Sequence, residues 1–132
     1  VGHGKKVITM RNAEAEAEMR SICAEVWSCF NLMGILKTKM IPKTFSKQGG
    51  SSGCYYPDKH TVYFRWNVWN KMPLAGKRML AIHELYHATG NKHNGKYMFC
   101  HAYDILTIEL YKRIYGEDVP YQEAVASIKE LF

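Results

Sequence analysis

His83, Glu84 and His87 stand at the spacing of a two-histidine metal site. On a helix, residues four apart share a face, so both imidazoles can reach one tetrahedral ion. Glu84 comes one residue after the first ligand and points past the metal towards an open coordination position, where its carboxylate can hold a water and take its proton. Gly90, three residues after His87, can adopt the left-handed conformation that ends a helix, letting the chain turn back and bring His93 to the metal from another direction. Three protein ligands and one open position describe a catalytic zinc rather than a structural one.

The five-residue pattern alone would also fit a helix that merely carries histidines, so its context has to agree. Pro73 can open a helix, and Ala75, Ala81, Ile82, Leu85 and Ala88 form an apolar stripe away from His83 and His87. That arrangement predicts a metal face directed into a cleft.

The elements that must carry these residues fit a single domain over 1–132, with residues 1–4 read as a tag remnant or disordered end. A helix with Asn12 as its N-cap, after an extended lead-in over Lys5–Met10, is expected to run to about Met33, where Gly34 stops it. Met19, Ile22, Cys23, Val26, Phe30 and Met33 recur at three- and four-residue steps and form its core face, with no chemistry assigned to them. Ile35 to Phe45 reads as extended, and the glycine- and serine-rich stretch from Ser46 to Gly53 as a loop. Cys54–Tyr56, a turn at Pro57–Asp58 and His60–Trp66 predict a β-hairpin with Val62, Phe64 and Trp66 on one face. After the metal segment, Asn94–Gly95 marks a turn, a helix is expected from Tyr97 to Tyr115 with Gly116 ending it, and a last short helix from Tyr121 to Leu131. The class is therefore α+β: an N-terminal helix, a small, mostly antiparallel sheet with an edge hairpin, the metal helix and C-terminal helices.

The chain carries 18 basic and 12 acidic side chains, a net charge of +6. The basic residues are scattered, which suits a solvated surface first and nucleic-acid proximity second. Four cysteines, Cys23, Cys29, Cys54 and Cys100, form no CxxC pair and read as free thiols of a reducing compartment, with disulfides as the alternative. No apolar run is long enough to cross a membrane and no signal peptide is evident, so a monomeric cytoplasmic protein is expected.

His83, Glu84, His87, Gly90 and His93 together resemble the extended HExxHxxGxxH signature of the metzincin branch of the zincin metallopeptidases. About half of the chain, from the hairpin through the helix after the motif, takes part, and the element order resembles a minimal zincin. Met98 is the nearby candidate for the methionine-containing turn of that branch, only five residues after His93. The segment from His93 to Phe99 also resembles the third-ligand region of SprT-like proteases, and small intracellular zincins of the ImmA and antirestriction types carry comparable helices. Those resemblances imply action near DNA or on DNA-associated proteins. They also open an alternative third ligand on the following helix, which here means His101 or Asp104, although the intervening glycine favours His93.

The chemistry that follows is peptide-bond hydrolysis with one catalytic zinc. The ion lowers the pKa of its bound water towards ~7, Glu84 takes the proton as general base, and the hydroxide attacks a carbonyl polarised by the metal. Tyr97, His101 and Arg65 are candidates to steady the resulting oxyanion. Tyr86 is expected to pack, and His3 and His60 to lie at the surface. The substrate would be a peptide or unfolded protein segment, met along an exposed strand edge near the metal. The alternative is a DNA-associated or antirestriction-type binding protein with weak or no peptidase activity, and a purely structural site would need a fourth ligand such as Cys100.

Overall fold

The computed structural model describes residues 2–91 and 105–118, with side chains described for 13–91 and 106–118. The class is α+β, as expected. A long helix, α1 (Gly2–Leu32), is followed by β1 (Lys43–Lys47), β2 (Gly53–Tyr56), a 3-10 turn (Pro57–Lys59), β3 (Thr61–Arg65), then α2 (Trp66–Lys71), α3 (Leu74–His87) and α4 (Ile105–Tyr115). Because α1 already begins at Gly2, the extended lead-in is absent and Asn12 lies inside the helix instead of capping it. Its inward face is the expected one: Met19, Ile22, Cys23, Val26 and Phe30 are buried. Gly34 follows at φ +71°, the left-handed turn that stops the helix.

The sheet order is β1-β3-β2. The hairpin forms where Pro57 and Asp58 predict it, with β2 and β3 antiparallel and Tyr55 opposite Val62. The first strand departs from expectation in two ways. It begins only after Pro42, and it pairs with β3 in parallel, Thr44 opposite Val62. The sheet is therefore evenly mixed, not mostly antiparallel, and β3 is its centre. The reason lies in α1, which fixes β1 from outside the sheet: Arg20 Nε donates to the Thr44 carbonyl at 3.2 Å, and the Cys23 thiol meets the Thr44 side chain. A loop over 48–52 then lets the chain pass one strand position before turning back.

Val62 and Phe64 point inward from β3 and are fully buried, whereas Trp66 belongs to α2. Phe64 packs against Trp69, ring centroids 4.9 Å apart, and the Trp69 indole N–H donates to Glu18 Oε1 at 2.7 Å, tying α2 to α1. Pro73 caps α3 at φ −67°, and Ala75, Ala81, Ile82, Leu85 and Ala88 are all buried, so the apolar stripe does what its spacing predicts. In α4, Leu110 and Tyr111 complete the core, and Arg78 of α3 stacks over the Tyr115 ring at 4.1 Å. Gly116 ends α4 at φ +69°. No described helix is long and apolar enough to cross a membrane.

Candidate metal centre

The metal-face residues sit on the last turns of α3. The Nε2 atoms of His83 and His87 face each other 3.3 Å apart, the rings edge-to-face with centroids 4.9 Å apart. Two nitrogens each about 2.0–2.1 Å from a tetrahedral ion lie about 3.3 Å from one another, so this separation fits a shared zinc. A ligand atom of Glu84 joins them, all within 4.8 Å of one another.

Their surroundings differ from a face simply open to a cleft. His83 is fully buried because α4 packs over it, and its Nδ1 lies 3.3 Å from Thr107 Oγ1. With Nδ1–H donating to that hydroxyl, Nε2 carries the lone pair a metal needs. Among the described residues, His87 and Glu84 but not His83 line a cleft of about 560 Å³, together with Gly53, Cys54 and Tyr55 of β2, and Thr38, Pro57, Ala88 and Gly90.

Glu84 is 4 % exposed. Burial raises its carboxyl from 4.5 to about 7, and the charge of Lys47 offsets part of that rise. Gly53 makes the burial possible: a Cβ there would stand 3.0 Å from Glu84 Oε2 and 3.2 Å from Phe64 Cδ1. A residue read from sequence as loop glycine is thus the wall against which the carboxylate rests. Lys47, at the end of β1, donates to Ser51 Oγ at 3.2 Å and to Cys54 Sγ at 3.4 Å.

The exit from α3 is also defined. Gly90 is left-handed at φ +87°, as its place after His87 predicts. Lys37 and Thr38 donate backbone hydrogen bonds to the Thr89 carbonyl at 2.9 and 3.2 Å, and Asn91 Nδ2 donates to the Ile35 carbonyl at 2.6 Å. His93, His101, Asp104, Tyr97, Met98 and Cys100 lie outside the described residues.

Arg65 does not line the cleft: its guanidinium is bound to Asn67 Oδ1 at 3.0 Å and the Gly50 carbonyl at 3.3 Å. Tyr86 packs edge-to-face on Phe30, as expected. His60 is a half-buried structural residue. Its Nε2 donates to the Met40 carbonyl at 2.5 Å, which leaves Nδ1 to accept from the Tyr55 hydroxyl at 2.8 Å. Cys23, Cys29 and Cys54 are free thiols.

Sequence reasoning missed Gly53, Lys47, Tyr55 and Thr107. Lys47 lies on β1, whose parallel pairing is non-local, and Gly53 and Tyr55 meet the site through the packing of the hairpin on α3. Thr107 had one legible signal, its place three residues after Asp104, an alternative ligand on the helix expected from Tyr97 to Tyr115. Comparison with protein-family models, with curated proteins and with solved structures finds no match to this chain.

Proposed function

We propose that this chain is a zinc-dependent endopeptidase, a minimal zincin-like domain in which His83, His87 and His93 hold one catalytic ion and Glu84 is the general base. The observation that carries this reading is the 3.3 Å approach of the two Nε2 atoms beside a buried carboxylate at the edge of a cleft. His93 is supported by the route of the chain. Gly90 lines the same cleft, and two residues beyond Asn91 reach at most about 7 Å.

A zinc ion held there supplies Lewis acidity, which acidifies water and polarises a carbonyl. The protein's own groups do the rest. Thr107 fixes the ring of His83 and the nitrogen it presents. Glu84, with a carboxyl near neutrality, accepts the water proton at one carboxylate oxygen and delivers it to the scissile nitrogen, which departs as an amine. Burial of that carboxyl keeps bulk water from competing for the proton. Strand β2 borders the cleft and is an edge strand of the sheet. An extended peptide added along it would lie across the metal face, main chain to main chain, which suits unfolded segments of varied sequence.

The deciding experiment compares zinc content and cleavage of denatured casein for the wild type and Glu84→Gln. The variant is expected to keep its zinc and lose cleavage. Cleavage at the wild-type rate by Glu84→Gln, or a wild-type protein that takes up zinc and cleaves nothing, overturns the reading.

A further inference from the structure

The side of the sheet opposite Val62 and Phe64 carries none of the proposed metal ligands, and its composition is distinctive. Alternation along the strands places Lys43, Phe45 and Lys47 of β1, Tyr63 and Arg65 of β3, and Tyr56 of β2 on this one face. Three of these side chains are aromatic and form a strip across all three strands. Phe45 and Tyr63 have centroids 6.0 Å apart, and Tyr63 and Tyr56 5.5 Å apart. The outer two rings are open to solvent, Phe45 by 39 % and Tyr56 by 50 %, although an exposed phenylalanine on a small sheet is a solubility cost.

The charges that the strands themselves carry are of one sign. The three strands carry no acidic residue. Lys47 and Arg65 are held by Ser51, Cys54, Asn67 and the Gly50 carbonyl, none of them a carboxylate. Arg20 of α1 lies over the Phe45 ring at 5.6 Å, paired with Glu16 at 3.2 Å, and Asp58 is the acidic residue of the adjoining 3-10 turn. Aromatic rings in line on a sheet, bordered by cations, offer stacking surfaces to bases and counter-charges to phosphates.

We propose that this face binds single-stranded nucleic acid, with bases stacked on Phe45, Tyr63 and Tyr56 and the backbone following Lys43, Lys47 and Arg65. An unpaired strand is the occupant because a duplex hides the base faces that the rings require. An acidic peptide would answer the charge but leave the aromatic strip unused. The face includes none of the proposed metal ligands, and its readout does not depend on peptide hydrolysis.

The test uses the full chain and a fluorescein-labelled oligothymidylate of about 20 nucleotides, its oligouridylate counterpart and a duplex of the same length, followed by fluorescence anisotropy. One or both single strands are expected to bind more tightly than the duplex, and the two arms separate DNA from RNA. Phe45→Ala and Tyr56→Ala should each weaken binding roughly ten-fold, with Tyr56→Phe close to wild type because it keeps the ring. Lys43→Gln should flatten the fall in affinity between about 50 and about 200 mM salt, while Lys112→Gln, on α4, should change little. Circular dichroism confirms that each variant is folded. Absence of binding to either single strand, equal binding to the duplex, affinity indifferent to removal of the rings in folded variants, or full competition by oligoglutamate overturns the proposal.

Discussion

Glu84 illustrates how burial can perturb one carboxyl at a cost to the fold. Its carboxyl is raised to about 7 by burial against Gly53 and Phe64. Since the folded value exceeds the ordinary 4.5, the metal-free protein holds the associated stability below about pH 4.5 and loses it as pH rises through about 7. Glu84→Gln should therefore stabilise the chelator-treated protein at pH 8 by up to about 3 kcal/mol, and much less at pH 4, as read by urea unfolding. If Glu84 is the general base as proposed, the same substitution should lower kcat by at least ~10²-fold with zinc retained. Thr107 acts one step away. Thr107→Val removes the hydroxyl 3.3 Å from His83 Nδ1 and, if His83 holds zinc as proposed, should weaken zinc binding about 10- to 100-fold in a competitive chelator titration. Unchanged affinity would remove Thr107 from the site.

At the scale of elements, α3 is held in place from both ends. Near its start, Lys77 and the buried indole of Trp69 converge on Glu18 of α1. Burial alone would raise the Glu18 carboxyl, but the Lys77 and Trp69 hydrogen bonds and the Lys77 charge more than offset it, leaving the group below 4.5. Its contribution is thus present above about pH 4.5 and is lost as pH falls through the lower folded value. Glu18→Ala should cost about 1–3 kcal/mol at pH 7, mostly from the indole left unpaired, and the difference from wild type should shrink on acidification. At the other end, Gly90 needs its positive φ, and a Cβ there would stand 3.0 Å from Lys37 Cβ. Gly90→Ala should destabilise the turn by about 1 kcal/mol or more and weaken zinc binding if, as proposed, it aims His93.

Across the whole molecule, folding and the proposed metal binding would be linked, because the two described candidate ligands lie on α3 and His83 is buried under α4. Zinc at about 100 times its dissociation constant should add about 2.7 kcal/mol to stability, and a chelator should remove it, as a shift in thermal midpoint. Cys23 reports on the core directly. It is fully buried and its thiol is pushed up to about 12 by desolvation, so alkylation at pH 8 should spare it until the protein unfolds.

By itself the sequence determined what neighbours along the chain can encode. The four-residue step of His83 and His87, the carboxylate between them, the left-handed Gly90, the Pro57–Asp58 hairpin and the core faces of α1 and α3 all follow from local periodicity and turn chemistry. Only the tertiary structure decided the parallel pairing of β1, the contact of Gly53 with Glu84, the enclosure of His83 by a threonine 24 residues away, and the aromatic strip across three strands. Those features join segments whose approach is set by how helices and strands pack, and neither spacing nor composition carries that information. The residues capable of the chemistry are consequently legible in the chain, while the burial that tunes them arises from the fold.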